Sequence, residues 1–269
     1  MPELPEMENY KILLQQKIKG RTIIDVDINR DKSINVDPEN FMNQVQTQKV
    51  AEIERKAKHL LFHLENGYIL VLHLMLGGIL FYGTEQEKPE RTIQIRLSFG
   101  KESLYFIGLR LGYLHLFTQE EAKEELADLG PEPLNVNFSL DHFLDLVKER
   151  RGMIKTTLVN QEFLSGVGNC YSDEIAWHAQ LLPERNMDEL NKAEKVQLYQ
   201  SIRFILPRAT QLGGYMDQPL FKGDNKTGSY HSQTYVYDRE GKPCKRCGEK
   251  IVQIEISSRK TFHCPQCQS

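Results

Sequence analysis

Two cysteine pairs, Cys244-x-x-Cys247 and Cys264-x-x-Cys267, stand sixteen residues apart and constrain the end of this chain more than any other feature. Two such knuckles wrap one tetrahedral zinc with four thiolates only if the chain between them turns back on itself. Residues 251–256 and 261–263 can form the two arms of that hairpin, with Ser257, Ser258, Arg259 and Lys260 in its turn. A ribbon of this kind would hold Arg259 out rigidly toward a phosphate or a base; the competing reading is a structural zinc with Arg259 merely in solvent. His263 is a further possible ligand, but four well-spaced cysteines leave it no vacancy. The fifth cysteine, Cys170, stands alone and is expected to be a small buried residue.

The 269 residues suffice for two or three modules and at least one sizeable core. A net charge of −3 lacks the basic footprint of a chain that coats nucleic acid all over. Its distribution says more: residues 239–269 carry seven Lys/Arg against three Glu, a local +4, so the rest sums to −7. A basic tail on an acidic body points to a local phosphate contact. No apolar run approaches the roughly 18 residues of a membrane span, and no charged-then-apolar leader opens the chain. A cytoplasmic monomer without a membrane partner is expected.

Met7, Tyr10, Leu13 and Leu14 recur at helical spacing before Gly20, which predicts one amphipathic helix. Residues 22–28, 59–64, 68–74, 92–99, 103–107 and 113–117 read as short strands of an antiparallel sandwich. After Pro131 and Pro133 the pattern turns helical. Ser139 is placed to cap a helix through Val147, and Asn191 with Glu194 forms a capping-box pattern before another. Pro207 should kink or end that last helix. Residues 213–228, rich in Gly, Asp and Asn, read as a flexible loop. The expected fold is α+β and multidomain: an N-terminal β-sandwich domain with flanking helices (1–134), a helical domain (135–236) and a zinc-ribbon hairpin (237–269).

The other end carries the chemistry. Removal of Met1 would make Pro2 a secondary amine beside Glu3 and Glu6. At pH 7 roughly a tenth of an α-amine is neutral and nucleophilic, against well under a thousandth of a lysine. Attack on the C1′ carbon of a sugar would give an iminium, by the logic of a lysine Schiff base, with Glu3 and Glu6 to shuttle protons. Many unrelated chains also begin Met-Pro, so the rest of the sequence has to decide. Ser165-Gly166-Val167-Gly168-Asn169-Cys170-Tyr171 is a glycine-rich turn opening a helix, a natural phosphate site to which Asn169 adds a donor and Lys155 a charge. By itself it is as readily a simple turn. Lys58, at the start of a strand, reads by default as a solvated strand-end lysine.

Together these pieces resemble the formamidopyrimidine-DNA glycosylases and their endonuclease VIII relatives, nearly end to end. Pro2-Glu3-Leu4-Pro5-Glu6 is similar to the formamidopyrimidine branch, since endonuclease VIII usually has Gly at Leu4. Lys58 matches the family lysine that contacts DNA beside the lesion. Leu129-Gly130-Pro131-Glu132-Pro133-Leu134 matches its linker, Gly168-Asn169-Cys170-Tyr171 falls on its helix-two-turn-helix motif, and the cysteines match its zinc finger, with Arg259 on the finger arginine. The resemblance implies a bifunctional base-excision enzyme on damaged double-stranded DNA, with one structural Zn2+. It would flip an oxidised base from the duplex, attack through Pro2 and cleave the strand by β,δ-elimination. Glu3 would protonate the sugar ring oxygen or assist base loss, Glu6 would help the lyase steps, and Lys58, Lys155, Asn169 and Arg259 would grip phosphates.

Two motifs depart from the family. His73-Leu74-Met75-Leu76-Gly77-Gly78 replaces His-Leu-Gly-Met-Ser/Thr-Gly, so Leu76 stands at the wedge methionine. Ile107-Gly108-Leu109-Arg110-Leu111-Gly112 replaces Asp-Pro-Arg-Arg/Lys-Phe-Gly, which puts Leu109 at the arginine that reads the orphaned base and Leu111 at the phenylalanine. Leucine fills space but donates no hydrogen bond, so weak opposite-base selectivity is expected unless neighbouring Arg110 or Met75 takes over. Lys226-Thr227-Gly228-Ser229-Tyr230 stands where Lys-Pro-Gly-Tyr-Phe is usual in the lesion loop. Two alternatives stay open: an endonuclease VIII-like preference for oxidised pyrimidines or abasic sites, and a lesion-binding protein that does not cut.

Overall fold

The structure, a computed structural model, describes residues 1–269. The chain forms two compact units, Met1–Ala127 with Leu212–Ser229, and Asp128–Gln211 with Tyr230–Ser269. This division differs from the three consecutive domains expected from the sequence. The glycine-rich segment after the helices returns to the first unit, and the cysteine hairpin belongs with the helices of the second.

In the first unit, helix α1 (Leu4–Ile18) starts at a capping box in which the Glu6 carboxylate accepts from the backbone N–H of Glu3. Its buried face, Leu4, Met7, Tyr10, Leu14 and Ile18, follows the 3.6-residue period seen in the sequence. The strands that follow are β1 (Asp25–Ile28), β2 (Val50–Lys56), β3 (His59–Leu64), β4 (Ile69–His73), β5 (Ile79–Gly83), β6 (Ile93–Ser98), β7 (Ser103–Ile107) and β8 (Tyr113–Phe117). They make two four-stranded antiparallel sheets, ordered β1-β6-β7-β5 and β2-β3-β4-β8. One core joins them to α1, with Phe62, Leu70 and Leu72 from one sheet and Ile95, Leu104 and Phe106 from the other.

Two strands of this unit carry no clear sequence signal. The register of β2 shifts between Val50 and Glu52, which breaks the two-residue alternation of a charged strand. β5 is buried throughout and has no alternation to read. Helix α2 (Pro38–Val45) is short, but its start was legible: Asp37 caps it by accepting from Asn40 N at 3.0 Å, and Pro38 follows. Helix α3 (Gln119–Glu125) closes the unit before the linker.

The second unit contains α4 (Leu140–Val147), α5 (Ile154–Leu158), α6 (Asn169–His178), α7 (Lys192–Gln211) and the antiparallel hairpin β9 (Val252–Ile256) and β10 (Arg259–His263). Ser139 caps α4, and Asn191 and Glu194 exchange capping bonds at the start of α7, both as expected. Pro207 does not end α7, which runs on to Gln211. One lost backbone bond is outweighed there by burial of Leu198, Ile202, Ile205, Leu206 and Ala209 along the helix.

Candidate functional site

At the N-terminus Pro2 is buried, and Glu3 and Glu6 are almost entirely withdrawn from solvent. Both oxygens of Glu6 are fixed by backbone donors: Oε2 accepts from Glu3 N at 2.8 Å and Oε1 from Tyr215 N at 2.7 Å. The second bond needs a glycine. Gly214 has φ +78°, and a Cβ there would stand 2.1 Å from Glu6 Oε1. Glu6 is therefore held to one geometry by two elements distant in sequence.

Lys58 lies in the two-residue turn between β2 and β3, after Ala57 at φ +53°, and is only 6% exposed. It is not the solvated strand-end lysine of the default sequence reading. Beside it, His59, His73 and Tyr113 form one cross-strand row, with the His59 and His73 rings stacked at 4.4 Å. Burial and the neighbouring Lys58 ammonium hold both imidazoles neutral, His59 down to about 4 and His73 down to about 3. A neutral imidazole next to a buried ammonium offers a phosphate one hydrogen bond and one charge from the same place. His73 was not singled out from the sequence, because the pairing that brings it to Lys58 is a matter of strand register.

The two departing motifs meet. A Cβ on Gly108 would lie 2.3 Å from Gly77 O, and one on Gly112 would lie 2.5 Å from His73 O, so glycines let the two backbones touch. From this paired tip Leu76 and Leu111 project, 67% and 63% exposed, and Arg110 is exposed between them in sequence from Leu109. Leu109 corrects the sequence expectation: it is fully buried in the core. Its N–H donates to Gln94 Oε1 at 3.1 Å and its carbonyl accepts from Ser33 Oγ at 3.2 Å. It contacts no base from there.

The segment expected to be a flexible loop is pinned by Asp224. This carboxylate accepts from the N–H groups of Leu220, Lys226 and Thr227 and from Thr227 Oγ1, the last at 2.6 Å. Those bonds hold its pKa below the usual aspartate range against the cost of burial, which is the largest influence and works the other way. The Lys226 side chain remains exposed.

In the second unit Asn169 opens α6, half-buried, and Arg259 is exposed at the start of β10. The turn before Arg259 is two residues long, with Ser257 and Ser258 both at positive φ, the twist a tight hairpin demands. Lys155 is a second correction. It is 0% exposed, and its ammonium donates to Asp173 Oδ1 at 2.6 Å, Asn169 O at 2.9 Å and Ser172 Oγ at 2.9 Å. With every donor committed inside the protein, it holds the start of α6 instead of gripping a phosphate. Asp173 also accepts from Phe262 N of β10 at 3.0 Å, and Glu174 accepts from the N–H groups of Tyr235, Val236 and Tyr237. Adjacent carboxylates of α6 thus anchor both the hairpin and the chain leading into it.

The sulfur atoms of Cys244, Cys247, Cys264 and Cys267 all lie within 4.8 Å of one another, with Cys244–Cys267 at 3.9 Å and Cys247–Cys264 at 3.6 Å. A tetrahedron with Zn–S near 2.3 Å requires sulfurs about 3.8 Å apart. Burial pushes the Cys244 thiol up, but the amide of Arg246 and the indole N–H of Trp177 outweigh it and bring it down to about 6. The donor set fits one zinc ion held for structure, with no open position for chemistry.

Comparison with known proteins agrees with these features. Residues 1–113 match the formamidopyrimidine-DNA glycosylase N-terminal domain, 129–218 its H2TH domain, and 241–269 a zinc finger found in FPG and IleRS. A formamidopyrimidine-DNA glycosylase of Pelotomaculum thermopropionicum is 34% identical over 100% of this chain and 99% of its own. One from Shouchella clausii is 35% identical with the same coverage. Among solved structures, Lactococcus lactis Fpg bound to DNA containing an abasic site superposes with a TM-score of 0.93 at 27% identity, covering 99% of both chains. The same protein with DNA containing an oxidised pyrimidine gives 0.91 at 28% identity, covering 100% of both.

Proposed function

As a member of the formamidopyrimidine-DNA glycosylase family, this chain is a base-excision-repair DNA glycosylase with abasic-site lyase activity, and we propose that its reaction begins at the amine of Pro2. The observation that supports this most is the N-terminus itself: a buried proline beside two buried carboxylates, one of them fixed from both sides by backbone amides. Once Met1 is removed, the Pro2 nitrogen attacks C1′ and the bond to the damaged base breaks, the base leaving with a proton. As the base departs, Glu3 assists its loss by protonating the ring oxygen, the sugar opens, and an iminium links Pro2 to C1′, the Pro2 N–H proton being lost. Loss of a C2′ proton then drives electrons toward the 3′ phosphate, which departs. A second elimination releases the 5′ phosphate, and water hydrolyses the iminium. Glu6 serves these elimination steps.

Lys58 and His73 hold a backbone phosphate, and Leu76 and Leu111 fill the gap left by the flipped base. Asn169 and Arg259 supply phosphate contacts from the second unit, and Lys226 sits in the segment that meets the base. Because Leu76 and Leu111 at the tip donate no hydrogen bond to a base edge, selectivity for the opposite base is weak. The altered Lys226-Thr227-Gly228-Ser229-Tyr230 segment favours a second reading within the same chemistry, in which oxidised pyrimidines are accepted beside oxidised purines. The zinc ion keeps the hairpin folded. A cytoplasmic site of action fits its substrate, DNA, and its bacterial relatives.

Borohydride trapping on duplexes carrying an abasic site, 8-oxoguanine or an oxidised pyrimidine tests this reading. A covalent adduct mapped by mass to Pro2 is expected, and its yield across the three duplexes ranks the lesions. Protein that has lost Met1, holds zinc and forms no adduct would be a lesion binder without chemistry.

A further inference from the structure

Helix α1 carries more than the catalytic carboxylates. Along one face, Glu6, Asn9 and Tyr10 each bond to the returning segment Leu212–Ser229: Glu6 Oε1 accepts from Tyr215 N, Asn9 Nδ2 donates to Thr227 Oγ1 at 2.8 Å, and Tyr10 Oη donates to Gln218 O at 2.9 Å. About two turns beyond Tyr10, the Lys17 ammonium sits over the Phe221 ring. The segment is a strap whose ends meet, since Gly228 N donates to Gly213 O at 3.1 Å and a Cβ on Gly213 would lie 2.4 Å from Lys226 O. A continuous path therefore leads from Asn9 through Thr227 and Gly228 to Gly213, Gly214 and the Tyr215 N–H on Glu6.

Asn9 is completely buried and its Oδ1 has no hydrogen-bond partner. A leucine would fill the same space without burying an unsatisfied acceptor, so the amide contributes through its Nδ2 donor alone. That donor clips the closing end of the strap to the helix that bears Glu3 and Glu6. We infer that Asn9 is a positioning residue for strand cleavage: through Thr227 it sets the strap so that the Tyr215 N–H meets Glu6. This rests on Pro2 and Glu6 having the roles given above. Asn9 touches neither sugar nor base, and its loss moves Glu6 while leaving Pro2 in place.

The test uses the full chain with zinc bound and Met1 removed, on an abasic duplex. Borohydride trapping reads iminium formation, single-turnover cleavage reads elimination, and thermal melting reads integrity. Asn9→Leu and Thr227→Val are expected to trap within about twofold of wild type and to cleave about tenfold more slowly, a displacement effect of the size small misplacements produce. Thr227→Ser, which keeps the hydroxyl, restores cleavage. Unchanged cleavage in Asn9→Leu overturns the inference, as does a parallel fall of trapping, cleavage and melting temperature. Failure of the wild-type protein to trap overturns the Pro2 mechanism and this inference with it, whereas normal trapping with unchanged cleavage overturns the inference alone.

Discussion

Around Glu6, two backbone N–H groups fix the carboxylate, and a glycine at φ +78° is the residue that fits against it. At the tip made by residues 75–78 and 108–112 of the same unit, only the backbone is tightly fixed, and the side chains of Leu76 and Leu111 stand in solvent. On the mechanism proposed above, the first region delivers a proton to one atom, which demands positions fixed in advance. The second must fill a hole, which demands volume and little else. The wedge positions of the tip depart from the family pattern, as does the 226–230 segment, whereas Pro2, Glu3 and Glu6 are intact.

The largest effect is expected from Glu3→Gln. An amide of the same shape cannot act as a proton donor of matched acidity, so single-turnover release of a damaged base should slow roughly 10²- to 10⁴-fold while duplex affinity changes little. Base release within tenfold of wild type would show that the buried corner is not the source of the proton, and the contrast between corner and tip would fail.

A smaller effect follows from the two imidazoles beside Lys58. Both have folded-state values below the unfolded value of about 6.5, His59 at about 4 and His73 at about 3. The unfolded chain therefore binds protons below pH 6.5 that the folded chain refuses, so stability present above that pH is lost as pH falls toward 4. By pH 5 the loss should reach about 2 to 4 kcal/mol. Burial raises Asp173 to about 7, which works in the opposite direction over the same range, so the two have to be separated. The measurement is the difference in melting temperature between wild type and a His59→Gln, His73→Phe variant from pH 7 to pH 5. A constant difference would mean that the two imidazoles titrate alike in the folded and unfolded chain.

Much of this was legible in the sequence, and the exceptions have a common cause. Strands β3, β7 and β8, helix α1, the caps at Ser139 and Asn191 and the four-thiolate cluster all depend on residues close in the chain, or on spacing that itself carries the chemistry. The place of Lys155 is hidden in the sequence because its partner Asp173 lies on the next helix, and nothing in a basic residue near a glycine turn reveals whether it points in or out. Leu109 and Leu111 differ only by a turn of backbone that buries one and exposes the other. The strap was read as flexible because Gly, Asp and Asn commonly mean turn; here Asp224 uses that same tendency to bond its own loop, and the anchors on Glu6, Asn9 and Tyr10 lie some two hundred positions earlier. Long-range register is what a single sequence hides, and the catalytic corner depends on it.

The tip supplies the finest test of the comparison. If it fills space, Leu76→Ala with Leu111→Ala should slow base release about tenfold and equally against all four opposite bases, since the cost is an unfilled gap in the stack. Melting temperature should stay near wild type, because exposed side chains rarely contribute more than about 0.5 kcal/mol. Arg110→Ala should do less: weaker binding to every duplex, with the salt slope reduced by about 1, as for loss of a phosphate contact. The informative result is a change in preference. If Arg110→Ala abolishes discrimination between opposite cytosine and adenine, the guanidinium reads a base edge, and the tip requires a placed donor just as the catalytic corner does. Equal losses across the four bases instead leave recognition of the opposite strand to shape, and make the buried corner the only part of this unit where single atoms decide the outcome.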